Sequence, residues 1–274
     1  SLLAQTYDNW EWVLIDDSPD GGQTFGQLRL LCATDPRIKA YQPHQVTGNT
    51  GLNKRLACGL ALGEIFVELG HDDELTADCL SMIVKAFAQF PDAGFVYTDC
   101  AEVFEDGRAA TYVDGWGLGF GSYRSEMYGS RTLMVTNYPS INSKTIRHIV
   151  GVPNHVRAWK RGAYFASGGH SPFIHICDDY ELLVRTFLTT RMVHINQLGY
   201  IQYHNSQSSV NTQMLRSKEI QRLTRCYCDH YDQRIHDRFA ELGVSDFAWA
   251  NGRMDWSTPS PIIGTEPRAN YDLR

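Results

Sequence analysis

Residues 11–17, Glu-Trp-Val-Leu-Ile-Asp-Asp, run straight into Ser18-Pro19-Asp20-Gly21-Gly22. A short apolar run that stops at two carboxylates and a turn-rich pentapeptide reads as a buried strand entering a loop. The same pattern returns downstream. Residues 37–42 read as a second short strand after a helix, and Leu52, Leu56, Gly59 and Leu60 recur at helical spacing with Gly63 as the stop. Residues 64–69 (EIFVEL) form another apolar strand, which runs into His71-Asp72-Asp73-Glu74. Leu80, Ile83, Val84 and Phe87 make the apolar stripe of the next helix, and residues 94–98 (GFVYT) are a strand ending at Asp99.

Strands and helices thus alternate from residue 11 to about 100, the pattern of βαβ units over a mainly parallel sheet. Ligands of such sheets bind beyond the carboxyl ends of the strands. Three strands here are expected to end in aspartate, at Asp16/Asp17, Asp72/Asp73 and Asp99. One such ending is ordinary turn or cap chemistry. Three in succession place negative charge on one rim, where a bound cation would relieve the repulsion.

Past residue 105 the pattern loosens. Residues 114–130 hold five glycines and several aromatics, too irregular for a long helix or strand, and read as a covering loop. Order returns at 153–159 and in the helix-like 160–166. Residues 178–187 (DDYELLVRTF) read as an amphipathic helix opening on acidic residues, 192–203 as two short strands, and 212–242 as helix. The length, 274 residues, suits one large α/β domain.

Net charge is −6 and the pI is near 5.9, which argues against a large nucleic-acid footprint. No run approaches 18 apolar residues, so no bilayer span is expected. Residues 1–12 lack the basic and apolar regions of a secretory signal, and seven dispersed cysteines read as reduced thiols. The expectation is a cytoplasmic protein, with peripheral membrane contact left open. Cys226, Cys228 and His230 match no common zinc spacing and read as helix residues.

Five segments carry a resemblance: LIDDSPDGGQT after a strand, GLNKRLACGLALGE, VELGHDDELTADCL, VYTDCAEVF and GGHSPFIHICDDYELLVR. In this order and spacing, over roughly residues 1–205, the chain resembles glycosyltransferase family 2, whose members have the GT-A fold. The resemblance implies an α/β, Rossmann-like, mainly parallel sheet flanked by helices. It implies a nucleotide-binding part at about 1–104, an acceptor-binding part at about 105–210 and a helical extension at 211–253. The implied activity is an inverting transfer of a sugar from a nucleotide-diphosphate sugar to a saccharide or other hydroxyl-bearing acceptor, assisted by Mn²⁺ or Mg²⁺. A cation held by carboxylates neutralises the leaving diphosphate, and a further carboxylate deprotonates the attacking hydroxyl.

By match to the family, Asp73 is the direct metal ligand and Asp72 touches the ribose or the metal's water shell. The aspartate that many members carry two positions before Asp72 is here Gly70. Asp17 matches the carboxylate that contacts the donor's base, and Lys54 and Arg55 fall where a basic contact to base or phosphate occurs. His204 falls where some relatives bring a late ligand to the metal or diphosphate. Asp179, six residues before Arg185, matches the general base, with Asp178 as the alternate. Trp159, His155 and Trp116 are candidate acceptor walls, since aromatic faces stack on sugar C–H edges; core packing is the equal alternative.

The family opens with an apolar strand ending in Thr and a helix leading into the segment that appears here as SLLAQTYDNWEWVLIDD. Residues 261–274 (PIIGTEPRANYDLR), read on into Ser1, restore that opening. The resemblance therefore implies a circularly permuted order with its conventional start at Met254. Residues 254–274 would supply the displaced first strand and first helix, and Thr265 would line the donor pocket. Strand 261–265 would lie between the strands at 11–17 and 64–69. Two other functions use the same pieces. An inactive GT-A-like binding module is favoured by Gly70 and opposed by the retained Asp17, Asp72, Asp73 and Asp179. A nucleotidyltransferase would need a better phosphate loop than GTEPRAN.

Overall fold

A computed structural model describes residues 1–111, 121–138, 141–204, 216–243 and, as backbone, 252–254. The first half runs β1 (Trp12–Ile15), α1 (Gln23–Cys32), β2 (Ile38–Tyr41), α2 (Thr50–Leu60), β3 (Ile65–Val67), β4 (Glu74–Leu75), α3 (Cys79–Gln89) and β5 (Ala93–Phe104). The second half runs β6 (Ser122–Tyr128), β7 (Arg131–Asn137), β8 (Arg157–Lys160), α4 (Arg161–Ala166), α5 (Asp178–Thr189), β9 (Arg191–His204), α6 (Ser217–Glu241) and β10 (Gly252–Met254). The alternation expected up to residue 100 is present, and side chains hold the helix starts. Asp20 accepts the amides of Gly22, Gln23 and Thr24 at the start of α1, and Asn49 accepts that of Leu52 in α2.

Two sheets form. β1 and β2 pair in parallel, from Trp12 opposite Ile38 to Ile15 opposite Tyr41. The other eight strands form a mixed sheet with the path β10-β9-β5-β7-β6, to which β3, β4 and β8 attach. Its parallel centre is β5 beside β9, with β10 also parallel to β9. β8 runs antiparallel to both β3 and β5, and the β6–β7 hairpin runs antiparallel to β5. The core lies between this sheet and the helices. α3 buries Leu80, Met82, Ile83 and Phe87, while α6 buries Tyr231, Ile235 and Phe239, the last ring 5.3 Å from Phe187. No helix among the described residues is long and apolar enough to cross a membrane.

Three local expectations change. β5 does not stop at Asp99 but continues to Phe104, buried as far as Val103. Asp99 is accommodated inside the sheet, 2.8 Å from His194 Nε2 and 2.6 Å from Arg124 Nη1, and it accepts the Tyr138 amide at 3.0 Å. A carboxylate with three such partners need not end a strand, so Asp99 is not on the rim. Residues 192–203 belong to one strand with an irregularity, because the register jumps from Thr98–Ile195 to Asp99–Leu198. The region read as irregular contains the β6–β7 hairpin, turned at Gly129 with φ near +59°. Its inward residues Leu133 and Val135 pack with Ala101, Val103 and Ile201.

Among the described residues, β1 pairs with β2 alone and β3 with β8 alone. Glu11 nevertheless accepts the amides of Leu62 and Gly63. The starts of β1 and β3 therefore adjoin, joined through a side chain and not by a backbone ladder. All four β1 residues are only half-buried, α1 buries no residue, and α2 buries Gly51 alone. The expected strand at 261–265, the helix at 269–274, Thr265 and Trp116 lie outside the described residues.

Candidate active site

After β3 the chain turns through Gly70-His71-Asp72-Asp73 into β4. The Asp73 carboxylate accepts the Tyr200 hydroxyl at 2.6 Å and the Tyr203 amide at 3.0 Å, while the Tyr200 oxygen accepts the Gly70 amide at 2.9 Å. These bonds fold Asp73 back over residue 70. A Cβ there would lie 3.1 Å from Asp73 Cγ, 3.2 Å from the Tyr200 hydroxyl, and inside the contact radius of Asp73 Oδ2. Glycine at this position therefore has a steric reason: Asp73 occupies the space a side chain at 70 would need. Burial, with the neighbouring Asp72 charge adding to it, raises the Asp73 pKa above the usual carboxylate value; the Tyr200 and Tyr203 bonds oppose the rise.

Asp72 stands beside it, its carboxylate 3.7 Å from His71 Nδ1. His204 does not join this pair. Its Nε2 is 2.8 Å from Glu102 Oε2 in a buried couple, so one ring nitrogen is committed within the sheet. Among the described residues no three His, Cys, Asp or Glu side chains are grouped to hold a metal. The donor set Asp72/Asp73 still suits Mg²⁺ or Mn²⁺. Such hard ions are commonly held by one or two carboxylates, with water and substrate phosphate completing the shell.

The expected donor contacts take different positions. Asp17 accepts the Thr47 amide and hydroxyl and the Gly48 amide at 2.7–2.8 Å, so it clamps the loop entering α2. Burial would raise its pKa, but these bonds outweigh burial and hold it below the usual value. Lys54 turns inward, its Nζ 3.2 Å from Glu68 Oε1. Arg55 donates to the carbonyls of Gly168 and His170 and braces the loop after α4. Neither cation is presented as a free phosphate contact.

The two candidate bases open α5. Asp179 Oδ2 is 3.0 Å from Arg157 Nη2, and about a third of its side chain (34%) is exposed. Asp178 is recessed: its buried Oδ2 has no hydrogen-bond partner among the described residues and would lie 3.0 Å from a Cβ at Gly51. Burial, then the Asp179 charge, raises the Asp178 pKa. For Asp179 burial pushes the same way, but Arg157, Lys54 and the Tyr180 amide outweigh it and lower the value.

Of the acceptor walls, Trp159 belongs to the core. It is 1% exposed, and its indole N–H donates to Thr186 Oγ1 at 3.0 Å. A residue on β8, which lies between β3 and β5, packed 4.8 Å from the Phe95 ring, has no face left for a sugar. His155 stacks on Tyr200 with ring centroids 4.7 Å apart, and burial lowers its pKa to about 3. The chain Asp73–Tyr200–His155 thus joins the turn at residues 70–73 to the segment carrying Arg157 and, through it, Asp179. An open cleft of about 360 Å³ lies between α2 and α5, lined by residues that include Arg55, Ser171, Phe173 and Arg185. Phe173 is 87% exposed.

Sequence reasoning missed Tyr200, Glu68, Arg157 and Phe173. The signal for two of them was present, since Glu68 and Arg157 are charges within otherwise apolar strand segments, where an unpaired charge is costly.

The family profile described as "Glycosyl transferase family 2" matches residues 1–167. The chain is 34% identical over 107 residues to the uncharacterized protein y4gI of Sinorhizobium fredii, across 39% of this chain and 12% of that protein. It is 29% identical over 99 residues to the putative colanic acid biosynthesis glycosyl transferase WcaA of Escherichia coli K12, across 36% of this chain and 35% of that one. The chain thus spans about a third or less of the length of these curated relatives. In fold it is similar to S. aureus TarS 1–349 solved in complex with UDP-GlcNAc. The TM-score is 0.59 at 14% identity, over 88% of this chain and 67% of that one. The same protein solved with UDP gives 0.56 at 15% identity, over 87% and 64%. With the profile covering more than half of its length on a GT-A fold, the chain belongs to glycosyltransferase family 2.

Proposed function

We propose that the chain moves a sugar from a nucleoside-diphosphate donor to an acceptor hydroxyl in one inverting displacement, with Asp179 as the general base. The observation that carries this reading is the division of labour at the start of α5. Asp179 is reachable and ionised beside Arg157, whereas Asp178 is recessed against Gly51. The acceptor oxygen attacks the anomeric carbon as its proton passes to an Asp179 oxygen. The bond from that carbon to the diphosphate oxygen breaks, and its electron pair leaves with the diphosphate. Arg157 favours the ionised carboxylate, so proton transfer follows the build-up of acidity on the attacking hydroxyl. Asp72 and Asp73 would hold the divalent cation, Mn²⁺ or Mg²⁺, which when bound stabilises the charge growing on the leaving diphosphate.

On this reading the donor half is about residues 1–104 and the acceptor half about 105–210. The acceptor lies along the cleft rimmed by Phe173, whose open face suits a sugar ring. Asp17 acts on the donor's base through the 47–48 loop it holds. We further infer that a strand fills the interval between β1 and β3. The edges of both strands that carry no partner among the described residues support this, and residues 261–265, in circularly permuted order, have a suitable apolar pattern. TarS has been solved with UDP and UDP-GlcNAc, so uridine donors are the first to test. In a screen of nucleotide sugars with Mn²⁺, Asp179→Asn should lose about 10²–10⁴-fold in transfer with donor binding little changed. An active Asp179→Asn beside a dead Asp178→Asn would move the role to the neighbour.

A further inference from the structure

Glu68 follows β3, and the chemistry above makes no use of it. Its side chain is 10% exposed, and groups from three segments converge on it. Lys54 Nζ of α2 is 3.2 Å from Oε1, His170 Nε2 is 2.9 Å from Oε1, and Arg157 Nη1 of β8 is 3.5 Å from Oε2. The Arg157 side chain is 5% exposed, its Nε donates to the Pro153 carbonyl at 3.0 Å, and its Nη2 meets Asp179 at 3.0 Å. A guanidinium is a rigid plane, so three contacts at three nitrogens set its orientation completely. An apolar residue at 68 would fill the same space without the desolvation cost of a buried carboxylate. Asp178 and Asp179 would then remain beside Lys54 as counter-charges, and Asp179 beside Arg157.

We propose that Glu68 is a positioning residue for the transfer step: it binds one arm of Arg157 and the Lys54 ammonium, so that the other arm is held against Asp179 with part of the positive charge already answered. The inference rests on the reading of Asp179 as the base. A carboxylate that faces cations with no other partner is a poor proton acceptor. Glu68 shares those cations and leaves Asp179 more basic than Arg157 and Lys54 alone would. The groups acting on Asp179 are Arg157 of β8, His155 before it, Lys54 of α2, Glu68 after β3, and Cys177 and Asp178 of its own turn. Arg157 and Lys54 favour its ionised form, and Glu68 and Asp178 oppose it. His155 is held neutral by burial.

The test needs no substrate. The Asp179 side-chain carboxyl is followed by ¹³C NMR across pH in the whole chain, its signal assigned by its loss in Asp179→Asn. Glu68→Gln keeps the shape and removes the charge, and the Asp179 midpoint should fall by about one pH unit. Glu68→Asp, which keeps the charge, should restore most of that shift. A folded Glu68→Gln with an unmoved Asp179 midpoint overturns the proposal. If Glu68→Gln does not fold, Arg157→Lys carries the test. A single ammonium drawn to Glu68 abandons Asp179, whose midpoint should rise toward the ordinary carboxylate value, and an unmoved midpoint is again decisive against it. An Asp179→Asn enzyme that still transfers sugar would sink the base assignment while leaving the NMR shift in place, so the two failures are distinguishable.

Discussion

Gly70→Ala adds one methyl group at the point where Asp73 folds back over the chain. That Cβ would stand 3.1 Å from Asp73 Cγ and inside the contact radius of Oδ2, so the carboxylate oxygen must withdraw by more than about 0.5 Å. Withdrawal opens the 2.6 Å bond from the Tyr200 hydroxyl past the limit of roughly 3 Å for an O–H···O contact. A hydrogen bond to a charged acceptor contributes about 1.5–3 kcal/mol. The Tyr200 hydroxyl keeps only its bond from the Gly70 amide, and the loss should fall near 2 kcal/mol. For a domain of this size that is a drop of roughly 4–8 °C in Tm. Differential scanning calorimetry reads the Tm. Titration of Mn²⁺ with UDP reads the second consequence, because a displaced Asp73 should bind the pair more weakly. Asp73→Ala sets the floor, abolishing the Mn²⁺-dependent part of nucleotide binding while the chain still unfolds cooperatively. A Gly70→Ala chain with unchanged Tm and unchanged Mn²⁺–UDP affinity would refute the steric argument. Unchanged affinity in Asp73→Ala would refute the metal assignment itself.

Glu11 gives a pH dependence with a definite sign. Burial would raise its pKa, but Lys39 at 2.7 Å and the Leu62 and Gly63 amides outweigh it, so the folded value lies below the ordinary 4.5. Its stabilisation is therefore complete above pH 4.5 and is lost as pH falls through the folded value. The stability gap between the chain and Glu11→Gln in urea should be constant near neutrality and narrow in acid; a gap that is unchanged or widens as the chain is acidified contradicts this. Phe173→Ala should change stability by less than about 0.5 kcal/mol, since the ring is exposed. It should raise the acceptor KM while sparing donor hydrolysis, and an unaltered KM removes the cleft from the acceptor path. Ending the chain after Met254 should speed amide exchange across Trp12–Ile15 if residues 261–265 pair there, and equal exchange in the two chains argues against that pairing.

Much of the first hundred residues is legible because its signals are local. A strand running into Asp16-Asp17, the helical spacing of Leu52, Leu56 and Leu60, and the apolar stripe of α3 each depend on residues within a few positions of one another. Family-like spacing then pointed to Asp72, Asp73 and Asp179. What the tertiary structure alone decided is which groups meet across the chain. Asp99 was read as a strand end because nothing nearby in sequence shows Arg124 or His194, 25 and 95 residues away. For Trp159 the sequence leaves a sugar wall and core packing as equal readings, because exposure belongs to the packed sheet and not to the residue type. The separation of Asp178 from Asp179 depends on Gly51 and Arg157, which chain proximity does not predict. Gly70 looked like a defect in a motif until Asp73 was found lying in its space. Apolar periodicity and capping act over a turn or two of chain and are written in the sequence. Burial, ion pairing and steric exclusion act through space between distant residues, and they exist only once the sheet has brought those residues together.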